Sequence, residues 1–162
     1  MNIIKKFLLI IILALVILFL QGGILKPLLP NILMPNLFLI IVIYLSFYET
    51  NVLGLIFSFV LGLLYDISTS TLLGPYAASF VTIYTLFAIF SGRIFIDTTI
   101  SLIIITAISS IICDIIYMIL IFTFLPDKNN ISFEILFGSI STAIISPIMI
   151  YILKKYYPIK NR

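Results

Sequence analysis

The 162-residue sequence contains no histidine and a single cysteine, and only 9% of its residues are charged. Without histidine, the chain lacks the usual zinc ligand and the side chain most often used as a general base. Cys113 by itself can form neither an internal disulfide nor a thiolate metal cluster. Because soluble domains average about 25% charged residues, the low charge argues against a soluble enzyme or a nucleic-acid-binding protein.

Apolar residues dominate what is present: 63% of the chain is hydrophobic, and the mean hydropathy is +1.35. A water-exposed surface of this composition would carry large apolar patches and aggregate. A membrane-spanning helix needs about 20 residues, so six of them would use about 120. That leaves short loops and no room for a soluble domain, which predicts a single integral membrane domain over residues 1–162.

Polar and proline-containing breaks divide the apolar sequence into six predicted membrane-spanning helices. The spans are expected at about 5–25, 34–48, 52–67, 73–91, 99–124 and 133–153. The first could instead be a signal peptide, because Lys5 and Lys6 precede its apolar run. No small-residue cleavage site follows that run, however, so we expect a retained span.

The distribution of lysine and arginine predicts the orientation, because basic residues concentrate in cytoplasmic loops. With six spans, one side holds seven basic residues and the other holds Lys26 and Lys128; the seven are Lys5, Lys6, Arg93, Lys154, Lys155, Lys160 and Arg162. Both termini are therefore predicted to be cytoplasmic. A five-span chain would separate Lys5 from the basic tail, so the charge pattern favours six.

The third predicted span carries small and polar residues at every fourth position: Gly54, Ser58, Gly62 and Asp66. Residues at this spacing share one helix face, and small or polar residues mark helix contacts in lipid. Three interpretations are open for this face: packing inside the chain's own bundle, contact with a partner chain or a second copy, and a ligand site.

A second polar feature is Asp114, which lies well inside the fifth predicted span. The sixth span carries Thr142 and Ser146 four residues apart, and we predict that the two polar faces meet, with Asp114 as an interhelical hydrogen-bonding contact. A proton or ion relay is the alternative. A relay normally needs a chain of ionisable groups, and only Asp66 is a further candidate within the spans.

The six acidic residues are scattered over different loops and spans. An acid–base pair would need two of them close together, and the sequence contains no glycine-rich phosphate loop. We therefore expect no enzymatic activity, no metal and no cofactor.

Taken in order, the polar and glycine motifs resemble those of the MreD family, small integral membrane proteins of the bacterial rod-shape machinery. The resemblance rests on Pro35-Asn36-Leu37, Gly54, Gly62, Leu63-Leu64-Tyr65-Asp66, Leu73-Gly74-Pro75-Tyr76 and Gly92-Arg93. It is strongest from Pro35 to Arg93, and the second half of the chain is isoleucine-rich with few diagnostic residues.

The resemblance implies a non-enzymatic scaffold of the cell-elongation complex in the bacterial inner membrane, needed for rod shape and lateral peptidoglycan synthesis. It implies MreC as the main partner; other membrane proteins of the complex and a second copy of the chain are further candidates. It also implies a six-helix fold resembling the S components of energy-coupling-factor transporters. The alternative function is therefore the substrate-binding membrane subunit of a vitamin-type transporter.

Overall fold

The computed structural model describes residues 3–30, 33–69, 73–91, 99–124 and 135–156, and all regular structure in these ranges is helical. The elements are α1 (Ile3–Phe19), a π-helical turn (Leu20–Leu25), α2 (Lys26–Leu28), α3 (Leu37–Tyr48), α4 (Val52–Thr69), α5 (Pro75–Phe90), α6 (Thr99–Phe124) and α7 (Ile135–Tyr156). The predicted all-helical class is confirmed for this part of the chain. Arg93, Lys128, Lys160, Arg162 and the predicted start of the last span at 133 lie outside the described residues.

Within the described ranges, four helical segments are long and apolar enough to cross a membrane: Ile10–Leu28, Val52–Thr69, Ile100–Phe124 and Phe137–Lys155. Helices α3 and α5 are also apolar but shorter. The chain is therefore a multi-pass membrane protein, and the count of six crossings stays a prediction.

Helix α3 occupies the centre of the bundle, where it contacts α1, α4, α5, α6 and α7. Every residue from Leu37 to Ser46 is buried, as expected for a helix that is apolar on all sides. Its 12 residues measure about 18 Å, which is less than the ~30 Å of the hydrocarbon core. Because protein surrounds α3, non-helical backbone can precede it at membrane depth without facing lipid.

That non-helical backbone, at Pro35 and Asn36, is bonded to polar side chains from other helices. The Pro35 carbonyl accepts a hydrogen bond from Gln21 Nε2 at 2.8 Å, and the Asn36 N–H donates to Thr142 Oγ1 at 2.8 Å. Asn36 Oδ1 in turn accepts from the Leu39 N–H at 3.1 Å, which caps the start of α3. These bonds connect the π-helical turn, α3 and α7.

The outward faces of the longer helices are apolar. One exposed residue near the middle of each helix illustrates the pattern: Leu15 on α1, Ile56 on α4, Ile108 on α6 and Ile144 on α7. Such faces suit contact with lipid chains or with another apolar helix.

Candidate functional site

The polar face predicted on α4 is buried in the bundle, and Gly54, Gly62 and Asp66 all meet α5 or the residues that lead into it. Ser58 is also fully buried, but its hydroxyl donates to the Leu55 carbonyl of its own helix at 2.7 Å. The face is therefore occupied by α5 of the same chain. Of the three interpretations left open by the sequence, this geometry is that of packing inside the bundle.

At Gly62 the backbones of α4 and α5 lie close together. A Cβ atom at this position would lie 2.8 Å from the Ala77 backbone nitrogen and closer still to its Cα. Those atoms belong to a helix backbone and cannot rotate away as a side chain could. Only glycine allows the two helices to pack at this distance.

Gly54 serves a different contact, near the start of α4. A Cβ atom here would lie 2.8 Å from Tyr84 Cε2 and would also overlap the Tyr84 hydroxyl. That hydroxyl bonds the carbonyl oxygens of Glu49 and Asn51. Gly54 thus leaves room for a tyrosine of α5 to hold the turn between α3 and α4.

Asp66 is fully buried and holds the start of α5. Its carboxylate accepts backbone N–H bonds from Gly74 at 2.9 Å, Tyr76 at 3.1 Å and Ala77 at 3.2 Å. A helix N-terminus has free N–H groups and a partial positive charge, so a carboxylate is well matched to it. Pro75 at the first helical position has no N–H to satisfy.

Gly74 makes the turn into α5 with φ +124°, a backbone conformation that residues other than glycine rarely adopt. Together with Asp66, it gives the Leu-Gly-Pro-Tyr motif of the sequence a structural role. The glycine turns the chain, the proline begins the helix, and the aspartate of the preceding helix receives the free N–H groups.

Asp114 on α6 makes the second polar contact. It is 7% exposed, and its Oδ2 accepts a hydrogen bond from Ser139 Oγ on α7. The sequence prediction names Thr142 and Ser146 for this role, but Thr142 receives the Asn36 N–H and Ser146 donates to the Ala143 carbonyl of its own helix. The prediction considered four-residue steps, whereas Ser139 lies three residues before Thr142 on the same helix face.

A row of tyrosines connects the two polar contacts. The rings of Tyr65 on α4 and Tyr76 on α5 lie edge-to-face, with centroids 4.6 Å apart. Tyr76 stacks on Tyr117 of α6 at 4.1 Å, and Tyr117 is one helical turn from Asp114. These three tyrosines were not predicted to form a cluster, although Tyr65 precedes Asp66 directly and Tyr76 belongs to the turn motif.

Both buried carboxylates hold helices in place: Asp66 bonds backbone N–H groups and Asp114 bonds a serine hydroxyl. Among the residues that the structure describes, no group of three His, Cys, Asp or Glu side chains could hold a metal ion. The hydrogen bonds of the two carboxylates support helix association.

Comparison with protein families shows that the family model described as rod shape-determining protein MreD matches residues 1–159. No curated protein matches the chain, and no solved structure matches it.

Proposed function

We propose that this chain, which belongs to the rod shape-determining protein MreD family, is a non-enzymatic membrane scaffold of the bacterial cell-elongation complex. In this role it binds MreC and supports lateral peptidoglycan synthesis. The observation that carries the proposal is the family match over residues 1–159. The S-component-like fold stays a prediction.

The bonding of the buried polar groups supports a scaffold over a vitamin-type transporter subunit. A ligand pocket needs several polar groups that converge on the ligand. Asp66 is instead occupied by three backbone N–H groups, Asp114 accepts from Ser139, and Thr142 accepts from Asn36. These side chains stabilise the bundle.

The outward surface also suits a scaffold. Helices α1, α4, α6 and α7 each present exposed apolar side chains, and a partner with a single transmembrane helix can pack against such a face. We propose six crossings of the inner membrane with both termini cytoplasmic. Reporter fusions after Arg93 and at the C-terminus should then report cytoplasm, and fusions within 126–132 should report the exterior. A C-terminus on the outside would contradict this topology.

The central test is recovery of MreC with the tagged full-length chain from membranes in a mild detergent. We expect recovery well above that with an unrelated polytopic membrane protein. Equal recovery with the two baits, at normal abundance of both, would contradict MreC binding.

Tryptophan substitutions at exposed positions can then locate the binding face. Leu15, Ile56, Ile108 and Ile144 supply one position each on the outward faces of α1, α4, α6 and α7. We expect one substitution to abolish MreC recovery at unchanged protein abundance, while the other three act as its controls.

A further inference from the structure

The helix that begins at Ile3 is interrupted by the π-helical turn Leu20–Leu25, although helical backbone continues on both sides. Phe19 has φ −63° and ψ −43°, and Lys26 has φ −60° and ψ −40°. The Lys26 N–H bonds the carbonyl of Gln21, five residues back. A π turn is rare and is often found at functional sites.

The side-chain amide of Gln21, in this turn, forms a hydrogen bond through its nitrogen but not through its oxygen. The side chain is 4% exposed, and Nε2 donates to the Pro35 carbonyl at 2.8 Å. Oε1 is the one buried side-chain oxygen or nitrogen among the described residues without a hydrogen-bond partner. A buried acceptor without a donor is unfavourable. The side-chain hydrogen bond that joins the turn to the residues before α3 therefore comes from an incompletely satisfied amide.

Gly22 and Gly23 also lie within the π-helical turn. A Cβ at Gly22 would meet nothing within 4 Å, and one at Gly23 would reach only the Phe19 ring at 4.0 Å. Gly54 and Gly62 differ because a neighbouring group leaves no room for a side chain there. Neither packing nor a positive φ requires glycine at positions 22 and 23, so what these residues contribute is backbone freedom.

Helix α1 packs on the bundle along one face. Its buried side chains form one narrow stripe, Ile10, Ala14 and Ile17, which Gln21 continues. The neighbouring residues Leu15, Val16 and Phe19 are exposed. Apolar side chains gain little from protein over lipid, so α1 can leave this contact at low cost once the Gln21 bond is broken.

We propose that Leu20–Leu25 is a hinge, about which Ile3–Phe19 pivots away from α3 while α3–α7 stay packed. The bond from Gln21 to Pro35 is the latch of this hinge. The two glycines and the π turn supply its flexibility.

The test is hydrogen exchange of the full-length protein in lipid nanodiscs, with cell shape as the functional readout. In the wild type, amides 20–26 should exchange much faster than those of α3. Substituting both hinge glycines (Gly22→Ala with Gly23→Ala) should slow exchange at 20–26 by roughly twentyfold, since alanine favours helix about fivefold per position. This variant should fold at normal abundance and fail to restore rod shape in a strain lacking the wild-type gene.

The matched control substitutes two exposed threonines of α5 (Thr82→Ala with Thr85→Ala), whose hydroxyls bond only carbonyls of their own helix, and should leave both readouts unchanged. Gln21→Leu removes the latch and should speed exchange in α1 while α4–α7 stay protected. The hinge is refuted if wild-type amides 20–26 are as protected as those of α3. It is also refuted if the slowed double-alanine variant restores rod shape, or if Gln21→Leu speeds exchange in every helix alike.

Discussion

The α4–α5 and α6–α7 contacts look alike in sequence, since each is marked by polar or small residues three to four positions apart, but they are built differently. At Gly62 the α4 backbone touches the Ala77 backbone, and Asp66 bonds three backbone N–H groups of α5 and its entry. Asp114 and Ser139 instead join α6 to α7 through two side chains. A contact with backbone cannot move aside, whereas a contact between side chains can.

This difference matters in a membrane because lipid supplies no hydrophobic force between helices, and association depends on close packing and polar bonds. The α4–α5 contact uses both, with a helix N-terminus as the bonded group. The α6–α7 contact has the bond between the Asp114 and Ser139 side chains and a longer one, 3.4 Å, from Ser110 Oγ to the Ser139 carbonyl. We therefore expect substitutions at the first contact to be the more damaging, in the following order.

Gly62→Leu should have the largest effect. Its side chain would collide with the Ala77 backbone, and overpacking costs about 1–3 kcal/mol even where side chains can adjust. We expect a loss of at least ~3 kcal/mol, little folded protein and round cells, measured by unfolding in detergent and by complementation. Val52→Leu is the control, since Val52 lies on the same helix and is 74% exposed. Normal rods at normal abundance of the Gly62 variant would refute the close packing.

Asp66→Ala should come next, at about 2–3 kcal/mol, because it combines a lost helix cap with buried N–H groups left without an acceptor. Asp66→Asn keeps one acceptor oxygen and should cost less. Thr82→Ala is the control, since this exposed threonine bonds only the Ala78 carbonyl of its own helix. Equal unfolding free energies for the Asp66→Ala and Thr82→Ala variants would show that the cap contributes nothing.

Asp114→Leu should have a partial effect, since intramembrane hydrogen bonds average only about 0.6 kcal/mol. Asp114→Asn keeps an acceptor for Ser139 at nearly the same volume and should preserve folding and cell shape. A proton relay would behave differently, because asparagine cannot carry a proton. Complete loss of complementation by the asparagine variant at normal abundance would therefore favour the relay over the hydrogen-bonding contact.

Ser146→Ala should have the smallest effect, within about 0.5 kcal/mol of the wild type. Its hydroxyl bonds only the Ala143 carbonyl of its own helix. Ser139→Ala removes the partner of Asp114 and should be measurably worse in the same unfolding experiment. The reverse order would mean that Ser146, as predicted from the sequence, carries the α6–α7 contact.

The helices themselves could be predicted because lipid demands long apolar runs, and the polar breaks between them are visible in the sequence. The start of α3 could also have been predicted more closely. Asn36 is a preferred helix-capping residue, so the helix begins at Leu37 rather than near 34. The polar faces could be found for the same reason, since a buried Asp66 or Asp114 is conspicuous among isoleucines.

Three features could not be read from the pattern. Residues 37–46 of α3 are buried in protein, yet a helix surrounded by protein and one surrounded by lipid are both apolar on all sides. Asp66 bonds forward across the turn to α5, which depends on how two helices meet and not on the spacing within one. The bond from Gln21 in the π turn to the Pro35 carbonyl is likewise a tertiary contact.

The length of α5 has a consequence for the surrounding bilayer. Its 16 residues measure about 24 Å, and unlike α3 it has exposed side chains along its length, among them Thr82, Leu86 and Ile89. In the proposed six-crossing topology, the hydrocarbon core of ~30 Å must become thinner beside this helix, at a fraction of a kcal/mol per Å of mismatch. Two proteins whose short helices face each other share one thinned region of bilayer. Hydrophobic mismatch therefore favours association of the α5 face with other proteins that thin the bilayer.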